Sequence, residues 1–588
     1  MITNQSAFDR TRPVRPQQNV SRRALLAASV TGVTSASLYG GLPAIAARQK
    51  DDSPNQRQSL SLPLYPYGQP TFLDPHRATN WGLHWILLPH VWAGLLRFDE
   101  NGAVTTDLAM SIEPEQEGQT WVAELRSDIA FASGNPITAQ ALIDCWTNAL
   151  DPQHLAPMAE FMARVEGFDA FIAGESQEIG FEARSETTIA IHLTEPYAHF
   201  PEDLATFVWA AVDVAALEGV PGSEVPYADA GAGLWRFVAS EDASVIRMVP
   251  NPNSPDGLPN TFTEVHWRIV SGAQSAQSAF DLFQDNELAI ADIPLSLKEL
   301  AQQSAELAAQ LHTVRLSGST MMIGMDFNQV PFDDLRVRQA VAASIDRDTW
   351  ATEIQGDSFT GATSITPPVL SETANYAAPE PLPFDPEKAR TLLAEAGVDE
   401  SSQPPVTYYL RADAAQTERE QAVELLTMIQ DNSGLVIELD TTLTAEQIEA
   451  MRSDNGGLQF DLRWWWPFTN SPSGLTGLAS PDSDDMAGWF NWSADLEDED
   501  AAAAAELFTS LTDEAATMME KTERVQTYAE AEKLLIDYAV YIPLGHGVQT
   551  YVQSASLTGT RQGAFTGYAP ARLDSEVVFD PVEATPTT

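Results

Sequence analysis

The residues best suited to meeting a ligand lie in one run, Arg463-Trp464-Trp465-Trp466-Pro467-Phe468-Thr469-Asn470-Ser471-Pro472. Three consecutive tryptophans close a strand-like stretch, residues 460–466. Side chains alternate faces along a strand, so Trp465 points one way and Trp464 and Trp466 the other. Pro467 and Pro472 stop regular structure beyond them. A flat aromatic surface therefore runs from a strand end into a loop, where α/β proteins place ligand contacts. The same residues equally make a core strand with one bulky side, and the run alone does not choose between the two. Arg463 offers its charge to an anionic group or to Asp461, two residues back on the same strand face.

Other chemistry has few candidates in the chain. There is no Gly-rich phosphate loop with lysine, no H-E-x-x-H and no G-x-S-x-G. Nine histidines are scattered, and neither His84 with His90 nor His192 with His199 has helical metal spacing. No metal, cofactor or catalytic residue is expected. Carboxylates are so numerous that a glycosidase pair is neither found nor excluded, so a secreted carbohydrate-active enzyme is the alternative of another class. Cys145 is the sole cysteine, which rules out an internal disulfide and a cysteine metal cage. It falls in an apolar helix, residues 139–150, as buried filler.

The elements that position these residues belong to a long chain. Its 588 residues exceed one core, so two or more lobes are expected. Acidic residues number 83 against 32 basic ones, a net charge of −51, and five of the basic residues are lysines. Such a field repels nucleic acid and anionic membrane surfaces and suits solubility in high salt. The amino-terminus is the exception. Arg10, Arg12, Arg15, Arg22 and Arg23 precede a mildly apolar run ending in Ala44-Ile45-Ala46, the layout of a cleavable signal peptide over residues 1–46. Ser21-Arg22-Arg23-Ala24-Leu25-Leu26 resembles the twin-arginine export motif. A membrane anchor fits less well, because the run is short and rich in Gly, Ser and Thr. The mature chain is expected outside the cytoplasm, periplasmic or associated with the envelope.

Along that chain, Ser59-Leu60-Ser61-Leu62 reads as a strand, residues 83–95 as a helix and residues 121–125 as a strand. Gly134 permits the turn of Ser133-Gly134-Asn135-Pro136, and Thr138 caps the helix that follows. Asp385-Pro386 opens a helix and Gly397 ends it. The acidic run 495–500 opens another.

These blocks keep a familiar order. Phe72-Leu73-Asp74-Pro75-His76, Phe131-Ala132-Ser133-Gly134-Asn135-Pro136-Ile137-Thr138, Gly231-Ala232-Gly233-Leu234-Trp235, Arg336-Val337-Arg338-Gln339-Ala340 with Ser344-Ile345-Asp346-Arg347, and Tyr541-Ile542-Pro543-Leu544 resemble the family 5 extracellular solute-binding proteins of bacterial ABC importers. These are the oligopeptide, dipeptide and nickel carriers. The resemblance covers roughly residues 60–570 and implies a two-lobed α/β periplasmic-binding-protein-like fold. Two strands cross between the lobes, the first lobe has an extra subdomain, and ligand is trapped in the interlobe cleft on hinge closure. It implies first-lobe segments at 47–95, 207–316 and 557–588, the subdomain at 96–206 and the second lobe at 317–556. The expected partners are a small-molecule or peptide ligand and a membrane permease. The protein is expected to be monomeric, non-enzymatic and without nucleic acid.

Peptide carriers of this family hold the ligand's α-ammonium with an aspartate from a Gly-Trp-x-x-Asp-Tyr loop. Aligned on Asn470-Ser471-Pro472, the family tryptophan falls on Trp465, in the cleft, and the aspartate position falls on Phe468. No carboxylate lies between Asp461 and Asp482 to stand in. The resemblance thus implies a cleft of Trp464, Trp465, Trp466, Phe468, Asn470 and Arg463, with Thr79, Asn80 and Trp81 on the first-lobe side. An apolar or aromatic wall in place of the amine clamp favours flat or apolar ligands, a sugar or glycoside among them. A metal chelate is a further alternative.

Overall fold

The computed structural model describes residues 59–579 apart from 66–72, 79–80, 154, 221–228, 255, 257–260, 272–274, 369–375, 399–403, 454–456, 467–470, 481–489 and 564–566. The export segment, residues 1–46, lies outside the described residues. Among those described, no helix is long and apolar enough to cross a membrane.

Three larger sheets organise the chain. The first holds Ser59–Leu64, Glu264–Ile269, Val245–Pro250 and Trp235–Val238, in that spatial order. A second sheet, Ala109–Glu115, Thr120–Leu125, Thr188–His192 and Phe181–Ala183, is antiparallel throughout. It has its own strands but shares the first sheet's core. Trp146 from the helix Ala139–Ala149 packs edge-on against Trp209 at 5.2 Å, within a cluster that also holds Leu60, Trp235 and Trp267. The third sheet has seven strands and includes Phe460–Trp465.

Local signals set the helix starts. Thr138 accepts from the Ala141 amide at 3.1 Å, Asp385 from Lys388 at 3.0 Å, and Asp498 from Asp500 and Ala501 at 3.0 and 3.1 Å. Each side-chain oxygen satisfies an amide that the first helical turn leaves unpaired. Gly134 has φ +92° and Gly397 φ +74°, the left-handed values that glycine takes without strain. The helix expected over residues 83–95 runs instead Trp81–Val91. Beyond it, the Ala93 and Gly94 carbonyls accept from Ala211 and Leu108.

Two long strands join the halves. Leu311–Met325 and Tyr541–Gln553 pair antiparallel, with the register broken between Arg315 and Thr320. On one side of that break Val314 and Tyr551 pack with the first sheet's core. On the other, Ile323, Met325, Ile542 and Leu544 belong to the third sheet's core. The expected division at 316/317 thus falls inside one continuous strand, because the crossing element is itself a shared sheet strand.

Candidate functional site

Strand directions show which ends face the gap between the lobes. Leu311–Met325 starts beside the first lobe's core and ends in the second's. Phe460–Trp465 pairs antiparallel to it, with Trp465 opposite Thr320, so its tryptophan end points back toward the first lobe. The strand's two faces separate cleanly. Phe460 and Leu462 pack into one core of the second lobe, and Trp465 into the other.

Trp464 ends the first face and is 44% exposed. Its indole N–H donates to the Ser319 hydroxyl on the crossing strand. Its ring lies 5.4 Å from Phe359 and 5.4 Å from Trp466, and Phe359 lies 5.1 Å from the fully buried Trp350. Four aromatic rings thus lead from the core outward to an exposed indole. The rings behind it limit its freedom, so a ligand laid on it orders little that is not already ordered.

Trp465 is placed differently from the expected cleft contact. It is 2% exposed and packs with Met322, Ile365, Phe490 and Trp492. The reason is coverage: the helices Gly474–Ala479, Glu499–Thr517 and Lys521–Asp537 lie over that face. Arg463 shares the covered face. It pairs with Asp461 at 3.5 Å, while Arg452 holds the same carboxylate oxygen at 2.9 Å. Burial lowers the Arg463 guanidinium from its ordinary value, and Asp461 pulls in the opposite direction. Phe468, Asn470, Thr79 and Asn80 lie outside the described residues, as does the side chain of Trp81.

A polar contact lies next to this loop. Ser471 is fully buried, and its hydroxyl is 3.3 Å from His199 Nδ1 and 3.3 Å from Glu202 of the subdomain helix Phe200–Leu204. His199 Nε2 faces the Tyr528 hydroxyl at 3.2 Å. Serine and carboxylate meet the same ring nitrogen, so no proton relay runs through the imidazole from one to the other. The group ties the subdomain to the second lobe. Nothing local in the sequence marks it, nor the approach of Phe359 and Ser319 to Trp464, because these contacts span from about a hundred to several hundred residues.

Among the described residues no group of three or more His, Cys, Asp or Glu side chains could hold a metal ion. Cys145 is buried, its thiol pushed up to about 12 by desolvation, and its sulfur accepts from the Val212 amide at 3.2 Å. It is a packing residue.

The model of the bacterial extracellular solute-binding proteins, family 5, matches residues 103–486. The chain belongs to that family. A periplasmic murein peptide-binding protein of Escherichia coli K12 is 24% identical over 81% of this chain and 86% of its own. A probable deoxycholate-binding periplasmic protein of the same strain is 23% identical over 86% and 92%. Among solved structures, the unliganded open form of a periplasmic murein tripeptide-binding protein superposes with a TM-score of 0.71, at 21% identity over 89% of this chain and 98% of that one. As a family 5 solute-binding protein, the chain has the two-lobed fold, with Leu311–Met325 and Tyr541–Gln553 crossing between the lobes.

Proposed function

We propose that this protein captures an organic solute with a flat or apolar face outside the cytoplasm and delivers it to the membrane permease of an ABC importer, without catalysis. The observation that carries the reading is the aromatic series from Trp350 through Phe359 to Trp464 and Trp466, which ends exposed at the strand end turned toward the first lobe. An indole presented in this way at a cleft binds by area and polarisability rather than by charge. The family's loop aspartate has Phe468 in its place, which is in keeping with such a wall. The relatives extend from peptide carriers to one named for deoxycholate, so family membership accommodates an apolar ligand. The twin-arginine-like segment supports export of a folded chain.

The deciding experiment is mass spectrometry of the small molecule that co-purifies with the full chain from its own cell envelope. Calorimetric titration of the identified compound into the ligand-stripped protein follows. Stoichiometric binding that quenches tryptophan fluorescence is the expected result. Turnover of the compound, or binding without any change in fluorescence, would overturn the reading.

A further inference from the structure

We infer that Asp292 is the ammonium-binding group of the cleft, supplied by the first lobe in place of the second-lobe loop aspartate, and that the ligand is an elongated organic amine whose far end is apolar. This rests on the cleft reading above and names the ligand's class.

Position comes first. The strand Ile290–Asp292 is antiparallel to Tyr541–Gln553, which is antiparallel to Leu311–Met325. It therefore runs the same way as Leu311–Met325, toward the second lobe, and Asp292 is its last residue. Tyr65 directly follows the strand Ser59–Leu64, and its hydroxyl accepts from the Asp292 amide at 3.0 Å. The carboxyl ends of two first-lobe strands thus bring a carboxylate and an aromatic ring together on the side facing the gap, where open α/β sheets bind ligands.

The carboxylate is held but not neutralised. Asp292 Oδ1 accepts from Gln549 Nε2 at 2.8 Å, and Gln549 Oε1 in turn accepts from the Tyr568 amide at 3.0 Å. That network fixes the side chain. Among the described residues no lysine, arginine or histidine pairs with it. Burial pushes its carboxyl up to about 7, and the Gln549 hydrogen bond offsets only part of this. A desolvated carboxylate without a cation is a costly feature in a binding protein unless a cation arrives with the ligand. The Tyr65 ring, braced edge-on by Tyr568 at 5.0 Å, gives an ammonium a second favourable surface.

Spacing sets the ligand's length. Asp292 pairs with Tyr551, which pairs with His312, whereas Trp465 pairs with Thr320. The register break between Arg315 and Thr320 puts extra residues into Leu311–Met325, so the spacing is counted on its partner, where five residues from Tyr551 to His546, opposite Thr320, separate these levels by about 17 Å at ~3.3 Å each. Side chains reaching inward shorten the gap, but a ligand touching Asp292 and Trp464 must be elongated.

The test uses the ligand-stripped full chain and a chymotryptic casein digest, whose peptides end in apolar or aromatic residues, in free-amine and fully N-acetylated forms. Retained peptides are counted by mass spectrometry after gel filtration. The wild type should retain the free-amine peptides about ten-fold over the acetylated ones, the loss expected when a half-buried carboxylate has no cation to meet. Asp292→Asn should abolish that preference while still retaining acetylated peptides, and Asp292→Glu should restore part of it. Asp292→Asn removes a desolvated charge, so its melting temperature should not fall. Equal retention of both forms by the wild type, or an unchanged preference in Asp292→Asn, overturns the assignment and leaves the aromatic cleft standing. Retention of neither form by the wild type overturns the assignment and the cleft reading together.

Discussion

The two faces of the strand Phe460–Trp465 end in the same residue type with opposite fates. Trp465 is sealed under three helices beside Phe490 and Trp492. Trp464, one residue earlier, is mounted on Phe359 and left 44% exposed. Both indoles are large, flat and apolar, so the residue type does not decide the role. Coverage does: one face of the sheet is packed by helices to its end, and the other runs out of cover at the gap. The difference separates a residue that holds the lobe together from one that presents a surface.

Trp465→Ala should break the fold side of this contrast, with the largest effect. Emptying a buried indole site that cannot fully collapse costs about 3–5 kcal/mol, measurable as a lower urea midpoint at unchanged m-value. The fraction that remains folded should bind ligand with wild-type affinity. A stable Trp465→Ala protein with weakened binding would place Trp465 in the cleft after all. The double change Trp464→Ala with Trp466→Ala should do the reverse. Losing two presented rings should weaken binding at least about ten-fold, or ~1.4 kcal/mol, by calorimetry. Its thermal midpoint should fall less than that of Trp465→Ala, since Trp464 is 44% exposed and Trp465 2% exposed. Unchanged affinity would remove the exposed face from the site.

Much of this contrast is legible in the sequence. Alternation assigned Trp465 to one face and Trp464 and Trp466 to the other, because a strand's period of two is a local property. The caps at Thr138 and Asp385 were readable for the same reason: donor and acceptor lie three residues apart. Which face would be covered was not readable. The covering helices begin at residues 474, 499 and 521, and the rings beneath Trp464 come from Trp350 and Phe359. The family resemblance implies the fold and a cleft at the tryptophan run, and within that run the packing buries Trp465 and exposes Trp464. Asp292 carried no signal, because a lone aspartate among 83 acidic residues is distinguished only by the missing cation around it.

Burial against presentation also governs charge, and pH offers a smaller test. Asp292 ionises near 3.8 when unfolded and at about 7 in the folded protein. Between those values the native state holds a proton that the unfolded chain has lost, so stability should fall as pH rises from about 4 to 7 and level off above that range. Asp203, also raised to about 7 by desolvation, adds to the same slope. His90, lowered to about 3 by burial, adds a slope of opposite sign up to its ordinary 6.5, so the Asp292 share is read as the difference between wild-type and Asp292→Asn thermal midpoints at pH 5 and pH 8. Asp292→Asn should flatten the curve by its own share, leaving the part due to Asp203. A slope identical in wild type and variant would mean that Asp292 is not desolvated, which would weaken its case as an ammonium site.

Arg463 gives the smallest effect and the sharpest reading of the covered face. Its position in the tryptophan run suggests a contact for an anionic ligand group, yet it lies on the same face as Trp465 and its side chain is 19% exposed. Its charge is engaged by Asp461, a carboxylate 2% exposed that Arg452 also holds, more closely. Arg463→Met keeps the length and apolar contacts of the side chain and leaves Asp461 one cation at 2.9 Å. The buried carboxylate is then still paired, so the large cost of stranding a charge is avoided. Ligand affinity should change by less than about two-fold, under ~0.4 kcal/mol, when titrated beside the Trp464→Ala, Trp466→Ala protein. A loss approaching that of the double tryptophan variant would show that the covered face opens to ligand, and the contrast between the two faces of the strand would fail.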